Sequence, residues 1–444
     1  MPDVVVLLPG ITGSVLQKNG KDVWGPSGGA ILRALLSGGK SIRELALGAD
    51  DPDRDDLGDG VTAPALVPDV HLIPGFWKID GYTKVRETLF KRFALTLGEN
   101  YFEFPYDWRR DNRVHARRLA RMSHDWLARW RERSGNRDAK LVLVGHSMGG
   151  VISRHFLEVM GGWQSTRALI TFGTPYRGSL NALSYLVNGY KEGPLNLTEL
   201  LRSLTAVYQL LPIYECVDLG DGKLGRVAEV DIPNVDRIRA KAALDFHRGI
   251  ETEQAKNAAN ETYVRDGYHI WPIVGIEQPT SQTARITGNA AAMQRDDGGD
   301  GTVPRVSAIP IELSKNPPAM YAAERHGSLQ NFDPVLVQLE GVLTQQDLTR
   351  FRAFPKTTLA LDLADAVATT EPVLIDARPA DGRPTLQAVV VDAESGAEVR
   401  RATLTPRRDG SQHAELEALP AGLYRVTVGG DDSVSPVTDV FAVA

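Results

Sequence analysis

A serine stands between two glycines in GHSMG, directly after an apolar run, and this arrangement suits nucleophilic catalysis. Residues 141–144 are continuously apolar, as in a parallel strand that is covered on both faces. From Gly149 onward, apolar residues recur at helical spacing. Ser147 is therefore predicted on a strand-to-helix turn, where flanking glycines let the backbone pass close and leave the hydroxyl exposed.

A serine hydroxyl is a weak nucleophile at neutral pH, so it needs a histidine base and a carboxylate that orients the base. For a serine on this kind of turn, the acid and then the histidine follow along the chain. Of the nine histidines, His326 in YAAERHGSL fits this order, because it follows a short strand candidate late in the α/β pattern. The others precede or adjoin the serine, fall in or just after an insertion, or lie near the C-terminus.

The acid is predicted in DDGGDGTVP, residues 296–304, which follows the strand WPIVG after a polar connection. Asp300 is favoured because glycines flank it and because Thr-Val-Pro, which we expect to start a helix, follows it. Asp296 and Asp297 are the alternatives. An aspartate in a glycine-rich turn also has a purely conformational use.

Acyl transfer further requires N–H donors for the oxyanion, each worth about 10²–10³ in rate. One is expected from the backbone of Met148, directly after the serine. The other is expected from LLPGITGS, the loop after the first strand, where Ile11 is preferred and Thr12 is the alternative.

The elements that must position these groups alternate between short apolar strands and helices up to about residue 345. This alternation predicts an α/β fold, a mostly parallel sheet with helices on both faces. The strand candidates are residues 4–8, 101–104, 141–144, 168–172 and 271–274, and the helix candidates are residues 82–93, 114–133, 151–160 and 334–343.

Two long insertions, about residues 24–74 and 176–267, interrupt the alternation and are predicted to be lids or binding elements. The first contains AILRALL and the acidic ADDPDRDDLGDG. In the second, apolar residues at helical spacing predict one helix over residues 197–211. That helix either covers the serine and binds an apolar acyl chain or packs as an ordinary core helix.

After Pro355 the helical pattern ends, and alternating apolar and polar residues predict an all-β, immunoglobulin-like sandwich over residues 356–444. The catalytic domain is accordingly predicted over residues 1–355. No proposed catalytic residue lies beyond Pro355, so the β-domain is expected to act in interaction or positioning without adding chemistry. A chain that ends near Pro355 is then expected to keep most of its hydrolysis of a small ester.

Composition excludes several function classes. The 444 residues carry a net charge of −6, which gives no reason to expect a nucleic-acid partner, and the chain has one cysteine, Cys216, which excludes an internal disulfide and a cysteine-rich metal site. No apolar run approaches the roughly 18 residues of a membrane span, and no signal peptide is recognised, so a cytoplasmic protein is expected.

Two motifs imitate binding sites. SGGKS, residues 37–41, has Ala34 where a phosphate loop needs its first glycine. DDPDRDD has Asp56 and Thr62 where a calcium loop needs glycine and glutamate. Neither a nucleotide, a metal nor another cofactor is expected.

Taken together, the ordered motifs resemble the lecithin:cholesterol acyltransferase family, which includes lysosomal phospholipase A2 and the phospholipid:diacylglycerol acyltransferases. The resemblance covers about residues 3–345 and is carried by LLPGITGSVL, DVWGP, YDWR, GHSMGG, GTPYRGS, GDGTVP and the late His326. It implies an α/β-hydrolase with Ser147, Asp300 and His326 as the triad and both insertions as a cap, and the added β-sandwich suggests a bacterial-type member.

The implied chemistry is cleavage of an acyl ester through an acyl-serine, with transfer to water or to an alcohol. The expected protein is a serine esterase of lipase or phospholipase type, or an acyltransferase, that acts on an acyl-ester or lipid substrate. The β-domain is expected to bind a protein or surface partner. The alternatives are an esterase or amidase for small soluble substrates and an inactive hydrolase scaffold used for binding.

Overall fold

The structure of the protein is a computed structural model. It describes residues 1–25, 40–68, 71–73, 77–192, 195–315, 317–344, 356–430 and 433–444. The predicted apolar segment AILRALL lies outside the described residues, as do the beginning of SGGKS and Pro355 at the predicted domain boundary.

Parallel strands form the centre of the N-terminal part. The described strands there are β1 (Val4–Leu8), β2 (Leu16–Lys18), β3 (Lys21–Trp24), β4 (Val61–Thr62), β5 (His71–Ile73), β6 (Trp77–Ile79), β7 (Tyr101–Glu103), β8 (Leu141–His146), β9 (Thr166–Phe172), β10 (Lys191–Glu192), β11 (Leu195–Asn196), β12 (Glu215–Gly220), β13 (Lys223–Arg226), β14 (His269–Gly275), β15 (Gln278–Thr287), β16 (Ala290–Gly299) and β17 (Met320–Ala322).

The central sheet has six strands in the order β17-β14-β9-β8-β1-β7, and all of its pairings are parallel. Every residue of β1 and β8 is buried, which explains their continuously apolar sequences. The carboxyl ends of parallel strands meet at one edge, so the loops after β1, β8 and β17 are brought together there.

The helices follow the predicted alternation. The described α-helices are α1 (Lys40–Arg43), α2 (Thr83–Arg92), α3 (Asn112–Ser134), α4 (Met148–Val159), α5 (Leu180–Asn188), α6 (Thr198–Ser203), α7 (Thr205–Gln209), α8 (Arg237–Ala258), α9 (Glu261–Asp266) and α10 (Asp333–Thr344). The predicted strands and the helices α2, α3, α4 and α10 are confirmed to within a few residues. Within the described ranges, every helix is too short or too polar to span a bilayer.

The acidic segment of the first insertion binds arginines at the beginning of α3. Arg109 pairs with Asp59 at 2.8 Å and with Asp107 at 2.6 Å, and Arg110 pairs with Asp50 at 3.1 Å. Both guanidinium groups are buried, so these carboxylates offset the cost of their desolvation. The acidic run therefore ties the insertion to the segment that leads into α3.

The prediction of one helix over residues 197–211 is wrong, because α6 and α7 are separated by Leu204 in an extended conformation (φ −75°, ψ 124°). The guanidinium group of Arg239 in α8 donates hydrogen bonds to the carbonyls of Arg202 at 2.6 Å and Ser203 at 2.8 Å. These bonds replace the ones that a continuous helix would make there.

The connection before the acidic loop also differs from its prediction. Within the predicted polar connection, for which the sequence predicts no elements, β15 and β16 form a long antiparallel hairpin that joins a four-stranded sheet in the order β13-β12-β15-β16. Residues 301–309 form turns, so the helix expected after Asp300 is wrong. Gly301 has a positive φ of 91°, and the Asp300 carboxylate accepts hydrogen bonds from the N–H groups of Thr302 and Val303. Both features direct the chain into a turn.

The C-terminal part is all-β. Its described strands are β18 (Leu359–Leu363), β19 (Ala366–Val367), β20 (Val373–Pro379), β21 (Gln387–Asp392), β22 (Glu398–Thr403), β23 (Thr405–Pro406), β24 (Gln412–Leu416), β25 (Gly422–Gly429) and β26 (Val437–Val443). They form two sheets, β18-β20-β24-β23 and β19-β26-β25-β21-β22, whose apolar side chains share one core. This confirms an α/β-hydrolase with a C-terminal β-sandwich, while the domain boundary stays a prediction.

Arg239→Ala should lower the stability of the protein by about 1–2 kcal/mol, because it removes the donors to two carbonyls at the α6–α7 break. The measurement is the midpoint of thermal unfolding. Arg237→Ala, which removes an exposed arginine two residues earlier in α8, is the control. Equal melting of the two variants would contradict this explanation of the break.

Candidate active site

Ser147 occupies a sharp turn between β8 and α4. Its backbone has φ 52° and ψ −122°, a conformation that is strained for a residue with a side chain. The turn packs closely against the end of β1. A Cβ atom at Gly149 would lie 2.5 Å from the carbonyl oxygen of Pro9 and 2.7 Å from that of Leu8. Only glycine permits this approach, which explains the second glycine of GHSMG.

The structure brings the three predicted triad residues together. The Oγ atom of Ser147 lies 3.0 Å from Nε2 of His326, and Nδ1 of His326 lies 2.7 Å from Oδ2 of Asp300. All three side chains are buried, with 1% of Ser147, 1% of Asp300 and 4% of His326 exposed. This geometry can transfer the serine proton to the histidine and orient the histidine through the carboxylate.

The second carboxylate oxygen of Asp300 is bound from the turn that follows. Its Oδ1 atom accepts hydrogen bonds from the N–H groups of Thr302 at 2.9 Å and Val303 at 2.7 Å. These bonds leave Oδ2 directed at the histidine. The alternatives Asp296 and Asp297 are exposed in β16, and Asp296 accepts a bond from the nearby Gly298 instead.

Gly173, the first residue of GTPYRGS, lies against the Asp–His pair. Its φ is +54°, and a Cβ atom there would lie 2.7 Å from Oδ2 of Asp300 and 2.9 Å from Nδ1 of His326. Any side chain at this position would push the pair apart. The motif glycine thus preserves the hydrogen bond that orients the base.

The predicted oxyanion donors flank the serine. Neither Ile11 N–H nor Met148 N–H donates a backbone hydrogen bond to another described residue, so both are available to an oxyanion. Ile11 also lines the small cavity beside Ser147. The alternative donor, Thr12, has a positive φ of 60°, which marks the sharp bend of this loop.

Three aromatic side chains from distant motifs bind the loop after β1, residues 9–15, which we call the oxyanion loop for its predicted role. Trp24 donates to the carbonyl of Thr12 at 2.7 Å, Trp108 donates to the carbonyl of Ser14 at 3.1 Å, and Tyr106 donates to the carbonyl of Pro9 at 2.8 Å. The motifs DVWGP and YDWR therefore serve the same loop as LLPGITGS. This shared role gives a physical reason for their occurrence together.

Sequence reasoning missed two polar residues beside the triad. The hydroxyl of Tyr82 lies 2.8 Å from Nδ1 of His146 and accepts a 2.8 Å hydrogen bond from Gly10 N–H. The Nε2 atom of His146 lies 3.1 Å from the carbonyl oxygen of His326. The only sequence signal was the position of His146 directly before the serine, and Tyr82 gave none.

The direction of these bonds follows from the acceptors. A carbonyl oxygen only accepts, so Nε2 of His146 carries the proton and Nδ1 accepts from the Tyr82 hydroxyl. Burial lowers the pKa of His146 to about 3, so its ring is neutral near pH 7. A neutral relay thereby joins the oxyanion loop to the backbone of the proposed base.

A small apolar cavity of about 20 Å³ adjoins Ser147. The second insertion contributes much of its wall, including Val207 and Leu210, whereas Leu201 and Leu204 are buried elsewhere in the core. The C-terminal half of the predicted insertion helix thus lies beside the serine, and the N-terminal half packs as core. The core alternative is thus met by the N-terminal half, whereas binding of an acyl chain by the C-terminal half stays a prediction.

Comparisons with known proteins agree with this fold. Residues 78–264 match the family model "Lecithin:cholesterol acyltransferase", which confirms the resemblance drawn from the motifs. No curated protein sequence matches the chain. The matched family is one of acyltransferases and the fold is that of α/β-hydrolases, so both favour an enzyme that handles acyl esters.

Among solved structures, a chain of the Tle4–Tli4 complex is 15% identical with a TM-score of 0.51, over 79% of this chain and 99% of that one. This likeness supports the fold alone. A Bacillus licheniformis lipase, BlEst2 in its propeptide form, is 13% identical over 99% of this chain and 92% of that one. Its TM-score of 0.32 is too low to bear on the fold.

Tyr82→Phe should lower kcat about 10-fold while leaving KM for a small ester within about twofold, because it removes the hydroxyl that bonds both His146 and Gly10 N–H without touching substrate. Steady-state kinetics on a soluble ester measure the change. Tyr185→Phe, which alters a half-buried tyrosine in the cavity wall, is the comparison. An unchanged kcat would show that the relay is only structural.

Proposed function

We propose that the protein is a serine hydrolase or acyltransferase that cleaves acyl esters through an acyl-serine intermediate. The observation that carries the proposal is the hydrogen-bonded series Ser147–His326–Asp300, with contacts of 3.0 and 2.7 Å. Ser147 is the proposed nucleophile, His326 the general base and acid, and Asp300 the residue that orients the histidine. The family match over residues 78–264 supports the same chemistry.

In the proposed reaction, Nε2 of His326 takes the Ser147 proton as Oγ attacks the ester carbonyl carbon. The carbonyl oxygen becomes an oxyanion, which the N–H groups of Ile11 and Met148 bind. Collapse of this intermediate breaks the bond to the alcohol, which leaves with the proton from His326. Water or a second alcohol then gives its proton to His326 and attacks the acyl-serine. The bond between the acyl carbon and Oγ breaks, His326 returns the proton to Ser147, and the acid or a new ester is released.

Two observations bear on the substrate class, the family match and the cavity beside Ser147. The matched family and the apolar wall that Val207 and Leu210 present beside the serine support a lipid ester. A second candidate, hydrolysis of small soluble esters, is favoured by the small volume of the cavity, about 20 Å³, which is room for about one water molecule. The two candidates share the acyl-serine chemistry and differ in the acyl chain.

An inactive scaffold is disfavoured because all three triad side chains are present in bonding contact. The cytoplasmic location and the protein or surface partner of the β-domain stay predictions. Both are independent of the chemistry at Ser147.

Ser147→Ala should abolish turnover and fluorophosphonate labelling without altering the melting midpoint, since triad members act as a unit worth up to about 10⁶ in rate. Asp300→Asn and His326→Ala should each cost at least about 10³. Asp297→Asn, in the same acidic stretch but exposed, is the matched control. More than a tenth of wild-type activity in Ser147→Ala would exclude it as the nucleophile.

The acyl chain can be read from a series of p-nitrophenyl esters from acetyl to palmitoyl. With wild-type protein, the small cavity predicts the highest kcat/KM for the shorter chains. Leu210→Ala enlarges the cavity and should shift the optimum towards longer chains. Val264→Ala, at an exposed position in α9, should leave the profile unchanged. A wild-type optimum at long chains would instead favour the lipid candidate and show that the cavity widens on binding.

A further inference from the structure

The β-domain contacts the residues that directly precede the proposed catalytic histidine. Glu324, only 1% exposed, accepts a 3.0 Å hydrogen bond from the backbone N–H of Thr438 in β26. The same Glu324 oxygen accepts a 2.8 Å bond from Arg325 N–H. The Arg325 guanidinium group in turn donates to the carbonyl of Leu361 in β18. Two consecutive residues before His326 are thus fixed by strands of the other domain.

The acid loop has its own connection to the β-domain. Gln278, which is fully buried, donates from its side-chain amide to the carbonyl of Leu359 at 2.8 Å and accepts from Leu361 N–H at 3.2 Å. Its amide therefore completes the free edge of β18 as a neighbouring strand would. The backbone of Gln278 forms a bridge with Asp300, the proposed acid.

A third contact reaches the residue after the histidine. Arg425 in β25 forms a salt bridge with Asp80, whose side chain is 8% exposed. The backbone N–H of Asp80 donates a 2.9 Å hydrogen bond to the carbonyl of Gly327. Contacts from β18, β25 and β26 therefore converge on both sides of His326 and on Asp300.

From this convergence we infer that the β-domain is a positioning element of the active site, and that Glu324, Gln278 and Arg425 are positioning residues for His326 and Asp300. The inference rests on the proposed triad. Its physical basis is that β17 has only three residues, so the loop after it gains its fixed geometry from outside. A displacement of about 1 Å at such a base costs about 10² in rate.

This inference reverses the expectation that a chain ending near Pro355 keeps most of its activity on small esters. Loss of the β-domain would expose Gln278 and Glu324 and free the histidine loop. A module that only recruits substrate would affect KM for the natural substrate, whereas a positioning module affects kcat for every ester. The two roles can therefore be separated by kinetics on the full-length chain.

The test compares Glu324→Leu with Glu324→Gln in the full-length protein. Burial raises the pKa of Glu324 well above its ordinary value, so glutamine is a close replacement for its neutral form, and it keeps an acceptor for Thr438. Glu324→Leu should lower kcat about 10- to 100-fold on both an acetyl and a long-chain ester, with KM nearly unchanged. Glu324→Gln should stay within about threefold of wild type.

Arg425→Gln provides a second variant on a partly exposed residue, so it tests the inference even where Glu324→Leu does not fold. It should lower kcat at least about threefold on both esters. Arg407→Gln is the matched control, because Arg407 forms its 2.6 Å pair with Asp376 inside the β-domain. The control should keep wild-type kcat.

Three results would overturn the inference: unchanged kcat in Arg425→Gln, a loss confined to the long-chain ester, or an equal loss in Arg407→Gln. Fluorophosphonate labelling of Ser147 separates this failure from failure of the proposed function. If wild type labels and Ser147→Ala does not, the triad stands and only the positioning role falls. If Ser147→Ala still turns over substrate, the proposed function itself is wrong.

Discussion

The close approach between the end of β1 and the turn after β8 is the constraint on which the rest of the site depends. Gly149 lies against the carbonyls of Leu8 and Pro9 with no room for a side chain. This contact brings the loop after β1 to the turn that carries Ser147, and Ile11 of that loop lines the same small cavity as the serine. The turn contains the strained backbone of Ser147, and the fully buried strands β1 and β8 hold it in place.

Near the contact between β1 and the serine turn, His146 is a neutral polar group, and the buried arginines are paired with carboxylates. His146 is neutral because burial lowers its pKa to about 3, and its bonds link Tyr82 to the histidine backbone. The buried arginines of the YDWR region are matched by aspartates of the first insertion. Low exposure strengthens each of these interactions, so the geometry of the triad is defined by many hydrogen bonds with little competition from water.

The two domains share a polar boundary. Gln278 supplies the hydrogen bonds that the edge of β18 would otherwise lack, and Asp80 supplies the charge that Arg425 faces. Buried polar groups at a boundary are costly to separate, because each partner would be left unsatisfied. This explains why polar residues of the catalytic domain, remote from the serine in sequence, are buried beside the β-sandwich.

The sequence by itself determined the strands of the central sheet, its main helices and the order of the chemistry, but not the break between α6 and α7 or the turn after Asp300. Continuous apolar runs identify β1 and β8, and the glycines around Ser147 identify the turn, because both signals are local. The order of serine, acid and histidine then selected His326, and the glycines around Asp300 ranked it before Asp296 and Asp297. The resemblance to the acyltransferase family followed from the same short motifs and is confirmed by the family match.

Only the tertiary structure decided which side chains meet. The turn that binds the Asp300 carboxylate distinguishes this residue from Asp296 and Asp297. The break between α6 and α7 is stabilised by Arg239, which lies in a helix further along the chain. The spacing of apolar residues reveals neither the contact of Tyr82 with His146 nor the contact of the β-domain with Glu324. These features depend on hydrogen bonds between residues far apart in the chain, and propensity and spacing carry no information on such pairs until the sheet brings them together.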